Sequence, residues 1–176
     1  LAMLAGQPGK AMHEHLCQDA ALDRRLRCCG CLGFEPPAVL RHGIGGGECG
    51  RLIREFDWSS TDLGPIAGWP GWVRTSVDIC LQAPIPIVML FGPDGFLIYN
   101  DAYAAFAGQR HPQLLGMKVL EGWPEAADLN RQVLDTCYIK GGTLSLKEQP
   151  LILFRYNNAA DQLWLDLDYS PILNDE

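Results

Sequence analysis

Trp164, Asp166 and Asp168 fall at every second position near the C-terminal end of the 176-residue chain, and on an extended segment such residues share one face. On a cavity wall a carboxylate pair can exchange protons or hold a cationic ligand. On an outer face it is only a solvated or interface edge. Burying carboxylates without a partner is costly, so the spacing favours the outer edge. A second group of reactive side chains, His13, His15, Cys17, Cys28, Cys29 and Cys31, is of zinc-ligand type. Adjacent cysteines do not readily face one tetrahedral ion together, and no paired set of Cys-x-x-Cys spacings is present. A metal or redox sensor using these thiols is therefore the weakest reading. The glycines around Gly45 have no strand before them and no Lys-Ser or Lys-Thr after them, which leaves nucleotide hydrolysis unsupported.

These residues sit in a chain that is 48% hydrophobic and 20% charged, the profile of an ordinary globular protein. No apolar run approaches the roughly 20 residues needed to cross a bilayer. Leu1 to Ala5 has no basic residue before it and meets Gly6, Pro8 and Gly9 at once, unlike a secretory signal, and the expected location is cytoplasmic. From Gly47 onward there are 9 basic and 17 acidic residues, so nucleic acid is a poor partner for the main body. Seven cysteines, odd in number and without framework spacing, are expected to be reduced thiols.

The elements that must position these groups follow from periodicity. Residues 1–46 read as a weakly ordered leader or a non-native start, 47–82 as two flanking helices and 83–176 as the main domain. Leu52, Ile53 and Phe56 share a face of the first helix. Pro70 opens the second, in which Val73, Val77 and Cys80 recur at helical spacing. Ile85 to Phe91 reads as a strand, Gly92-Pro93-Asp94-Gly95 as a turn and Phe96 to Tyr99 as the returning strand. Asn100 or Asp101 can cap a helix over 102–107. Pro124 opens a longer helix carrying Leu129, Val133, Leu134 and Cys137 on one face, and Gly141-Gly142 stops it. Strands over 143–156 and 162–173 close the chain, the second alternating Leu163, Leu165, Leu167 and Tyr169 with polar residues. The fold class is α+β, with an antiparallel sheet.

Four segments in this order, IREFDWSSTDLGPIAGWPGWVRTSVD, FGPDGFLIYNDAYAAFAG, HPQLLGMKVLEGWPE and WLDLDYSPILNDE, resemble the N-terminal PAS sensor domain of bacterial sensor histidine kinases of the HWE type and related groups. The likeness spans roughly Glu48 to Glu176. It implies a PAS-like antiparallel sheet with flanking helices around a small cavity. The final, central strand of that sheet is apparently missing from this chain. Truncation, a strand from a neighbouring molecule or the leader would account for that position.

The resemblance also implies a role. The chain is expected to be a non-enzymatic signal-input module of a two-component protein, relaying to a downstream kinase module and forming a homodimer. Tyr99, Tyr103 and Arg155 are the expected ligand contacts at the cavity, with Trp164 and Asp166 if their face turns inward. Leu52, Ile53, Phe56, Val73 and Val77 are the expected dimer contacts. No cofactor is indicated. The region matching the flavin-adduct helix reads GQRHPQLLG, without the cysteine that light-sensing relatives use, and Pro124 to Lys140 lacks the histidine that haem-binding ones use. His111 reads as a loop residue, Cys137 as a small apolar side chain, and Trp58, Trp69 and Trp123 as structural anchors. The alternative function is a ligand-free dimerisation or protein-interaction module whose apolar residues, Ile85, Ile87, Met89, Phe96, Ile98, Leu151 and Leu153, pack the cavity shut.

Overall fold

The computed structural model describes residues 45–173; the leader cysteines and histidines lie outside that range, and of the leader only Gly45 and Gly46 fall inside it. Five α-helices and two β-hairpins make up the described part: α1 (Gly47–Glu55), α2 (Gly71–Gln82), β1 (Val88–Phe91), β2 (Phe96–Tyr99), α3 (Asp101–Ala107), α4 (Val119–Gly122), α5 (Ala127–Val133), β3 (Leu144–Tyr156) and β4 (Ala159–Tyr169). The α+β class expected from the sequence is what the chain adopts. No helix among the described residues is long and apolar enough to cross a membrane.

The sheet differs from expectation. Among the described residues β1 pairs only with β2, and β3 only with β4, as two separate antiparallel ladders rather than one sheet. The first hairpin runs in register from Val88 opposite Tyr99 to Phe91 opposite Phe96. All eight of its residues are buried, because the strands are covered on both faces. This explains why they read as continuous apolar runs rather than alternating ones. The free edge of β2 is held by the segment before α4: Leu97 N–H donates to Met117 O at 2.9 Å and Gly116 N–H to Leu97 O at 2.9 Å.

The second hairpin is long and one-sided. Its turn is Asn157-Asn158, both left-handed at φ 49° and 54°, a conformation asparagine tolerates better than other side-chain-bearing residues. A bulge at Glu148, φ 49°, shifts the register between Leu146 and Gln149. Leu153, Leu165, Leu167 and Tyr169 turn into the core. Ile152 and Trp164, on the other face, are 54% and 52% exposed.

The expected long helix is present but not uniform. A 3-10 turn at Pro124–Ala126 leads into α5, and a π-helical segment, Leu134–Ile139, follows it. Val133 and Cys137 are buried along it.

The inner faces of the two N-terminal helices are used inside the fold, which corrects the expected role of the residues on them. Ile53, Val73 and Val77 are buried at 0–2% exposure, and Leu52 and Phe56 pack half-buried against the same core. Ile53, Val73 and Val77, enclosed in their own chain, offer no surface to a second copy, whereas Leu52 and Phe56 keep part of theirs exposed. Phe56, Trp58 and Trp69 form a run of ring contacts with centroids 4.5 and 5.3 Å apart. They tie the linker between α1 and α2 to that core.

Candidate functional site

A small cavity lies between α3, the start of the α5 helix and the inward face of the second hairpin. Its volume is ≈ 40 Å³, by a measure in which one water needs about 10–15 Å³. Tyr103 and Phe106 come from α3, Trp123 and Ala126 from the α4–α5 corner, and Leu129 and Asn130 from α5. Leu151, Leu153, Leu165, Leu167 and Tyr169 form the sheet wall.

The local sequence explains each placement. Asn100, 1% exposed, caps α3 by accepting from Tyr103 N–H at 2.9 Å, and its carbonyl also accepts from Ile87 N–H at 3.1 Å. Its amide donates to Ala83 O and Ile85 O at 3.0 and 2.8 Å. One side chain therefore joins the end of α2, the entry to β1 and the start of α3, and so fixes where Tyr103 points. Pro124 at the first turn begins the helix that carries Asn130. Strand alternation turns Leu165, Leu167 and Tyr169 to the cavity side and Trp164, Asp166 and Asp168 away from it.

The lining holds no charged side chain. Burial pushes the Tyr103 and Tyr169 hydroxyls well above the ordinary tyrosine range, so both stay protonated. Trp58 and Trp69 donate their indole N–H groups to Ile53 O and Gly64 O at 2.7 and 2.8 Å. Trp123, 4% exposed, has a buried Nε1 without a well-aligned acceptor, and its side chain interacts with the Tyr103 hydroxyl, offsetting part of the effect of burial there. The Arg110 guanidinium lies over the Trp123 ring, 4.6 Å from its centroid. Arg110 is paired with Glu125 at 2.8 Å and donates to Phe154 O at 2.9 Å.

Of the expected ligand contacts, only Tyr103 lines this cavity. Tyr99 is fully buried beside it but turns its hydroxyl to His111 Nδ1 at 3.1 Å, which also gives His111 a partner not foreseen from the sequence. Arg155 is occupied: it pairs with Asp161, donates to Phe106 O at 2.9 Å and stacks over the Phe106 ring at 4.9 Å. It borders instead an open polar cleft at the tip of the second hairpin with Gln109, Arg110, Asn157 and Asn158. Trp164 and Asp166 lie on the outer face and are corrected as cavity contacts. Asp166 accepts from the bulged Glu148 N–H at 2.9 Å, and Asp168 from Ser145 Oγ at 2.5 Å. The outer-edge reading of this carboxylate pair is the one that fits.

Sequence reasoning missed Trp123 and Asn130 as cavity residues. Trp123 reads like the other turn-flanking tryptophans, and only its place in the cavity wall separates it from them. Cys49, Cys80 and Cys137 are buried free thiols; burial pushes Cys80 up to about 12, far from a reactive thiolate. No three His, Cys, Asp or Glu side chains among the described residues group so as to hold a metal ion. Comparison of the chain with known protein families, with curated proteins and with solved structures finds no match.

Proposed function

We propose that the chain is a signal-input module of a bacterial two-component protein, in line with its resemblance to PAS sensor domains. In this reading a small ligand in the cavity biases the packing of the N-terminal helices, and a kinase module outside this chain reads that bias. The only physical requirement is unequal binding to two arrangements. The observation that carries the reading is the double attachment of α3. This seven-residue helix gives Tyr103 and Phe106 to the cavity wall, and its first residue, Asp101, accepts from Glu48 N–H and Cys49 N–H at 3.2 and 2.7 Å. A shift of α3 against a ligand therefore acts directly on the N-terminus of α1. Two hairpins that share no ladder among the described residues are compatible with a PAS-like arrangement of strands.

The second reading, an interaction module without ligand, is favoured by the small cavity volume. In either reading, a homodimer would use a surface other than the internal residues of α1 and α2. The outer face of the second hairpin, with Ile152 and Trp164, is one exposed apolar surface, and Trp72 and Ile79 on the outer side of α2 are another.

A native mass spectrum of the purified chain, set against its denatured mass, separates these readings. Extra mass that is lost on denaturation supports the sensor; a bare dimer supports the interaction module. A bare monomer at tens of micromolar counts against both.

A further inference from the structure

We propose that the ligand of this cavity is a small, uncharged primary amide held side by side with the carboxamide of Asn130; the proposal rests on the signal-input reading above. Three polar residues are buried among the described ones: Ser76, Asn100 and Asn130. Ser76 donates its hydroxyl to Trp72 O at 2.7 Å, and Asn100 uses its whole side chain in hydrogen bonds. Asn130, 7% exposed, makes no side-chain hydrogen bond to any described residue. Buried carboxamides are rarely left so. Nor is this one sealed in: the fully enclosed, unpaired side-chain atoms among the described residues belong to Trp123 and Glu125. The Asn130 amide therefore meets open space, and the space that Asn130 borders is the cavity.

A carboxamide offers an acceptor oxygen and two N–H donors, and here both stand unsatisfied in a largely apolar wall. A primary amide answers both at once, its N–H donating to the Asn130 oxygen while its own oxygen accepts from the Asn130 N–H. A ketone would leave the oxygen of Asn130 bare and an amine its N–H groups, each at the cost of an unmade buried bond. A carboxylate accepts only, and the lining holds no cation to receive it. The Tyr103 hydroxyl is engaged with Trp123. Tyr169 has no such bond and burial keeps it protonated, which leaves a second donor in the lining. Leu129, Leu165 and Leu167 of the same lining suit the carbon end of the ligand.

Size selects the shortest members of the class. A cavity of ≈ 40 Å³ has room for about three waters, which corresponds to roughly four non-hydrogen atoms. Ligands this small bind weakly, with Kd values on the order of millimolar.

The test uses two probes of one shape, acetamide and acetone, the second carrying a methyl where the first has its NH2. Both are titrated into the isotope-labelled 176-residue chain while the side-chain NH2 resonances are followed by NMR, with the exposed Asn157 as the reference for non-specific contact. Acetamide is expected to saturate in the millimolar range and to move the Asn130 NH2 protons downfield, leaving those of Asn157 in place. Acetone is expected to bind about tenfold more weakly, the loss of one hydrogen bond. Asn130→Leu, of similar shape without polar atoms, should abolish the difference between the probes while both still bind. If acetone binds the wild-type chain as well as acetamide does, the amide assignment is overturned and the cavity remains a ligand site. If neither probe moves the Asn130 resonances, or any other cavity resonance, water alone fills the cavity and the sensor reading fails with the proposal. The wild-type titration decides the matter even if the variant does not fold.

Discussion

Asn100 shows how much one buried amide can organise. It accepts twice and donates twice, so its whole hydrogen-bonding capacity is used inside the protein. Replacing it with alanine removes the cap of α3 and strands two N–H groups and two carbonyls. The expected cost is about 3 kcal/mol, the sum of a lost cap and buried unsatisfied groups. Urea denaturation measures it directly, and a loss below about 1 kcal/mol would mean that water replaces the amide easily. The cap itself was legible, because asparagine directly before a short apolar helix is a standard start signal. The bonds to 83, 85 and 87 were not, since they depend on where β1 lies against β2. The same limit hid Trp123: a sequence shows that a tryptophan is there, not that it stands in a cavity wall.

At the scale of elements, α1 is held from outside its own sequence. Its N-terminal amides are satisfied not by a preceding Ser or Asp but by Asp101 of α3, and Gly47 makes room for it. A Cβ at Gly47 would stand 1.6 Å from Asp101 Oδ2. Gly47→Ala is therefore expected to detach α1, seen as faster amide exchange over Cys49 to Ile53 with the first hairpin still protected. The glycine run was read only as weak order because its partner is 54 residues away. Burial pushes the Asp101 carboxyl up, but the Cys49 amide and thiol, the Glu48 amide and nearby His111 outweigh it and hold the group below the usual carboxylate range. A depressed folded value stabilises the docked helix above the unfolded value of about 3.9, and that stability is lost as pH falls through the folded value. Exchange over α1 should therefore rise as pH is lowered below about 4, after correction for the intrinsic rate. Asp101→Asn should flatten this response; an unchanged profile would assign it to another carboxylate.

Surface roles follow from the whole molecule rather than from patterns along it. The apolar stripe of α2 was legible as a stripe, but periodicity says only that a face is covered, not by what. Here the chain covers it itself. Val77→Asp, at a position of 0% exposure, is thus expected to cost about 4 kcal/mol through an unpaired buried charge. Trp164→Ser, on the outer face, should change stability by about 0.5 kcal/mol or less. Equal effects in thermal melts would show that the second hairpin is covered by something the described residues lack.

The two hairpins share no ladder, so the molecule is joined across them by side chains and by the core. The polar ties cluster at the tip of the second hairpin: Arg110 to Phe154 O and Glu125 Oε1 to Phe154 N–H, each at 2.9 Å, and Gln109 Oε1 to Asn157 N–H at 2.8 Å. Arg110 and Glu125 are the shared members, with side chains only 22% and 11% exposed. Removing one partner of a mostly buried pair leaves the other charge poorly solvated, at a cost of about 3 kcal/mol. Because Glu125 also accepts from the strand, Glu125→Ala frees β3 as well as Arg110. The loss should not be uniform: exchange across β3 and β4 is expected to quicken while β1 and β2, sealed between helices, keep their protection. Hydrogen exchange resolved by peptide distinguishes this from general destabilisation, in which both hairpins would open together. A uniform loss would show that the apolar wall of Leu153, Leu165 and Leu167, not the Arg110–Glu125 clamp, holds the second hairpin in place. The Trp123 ring would then keep its position in the cavity wall without the ion pair against it.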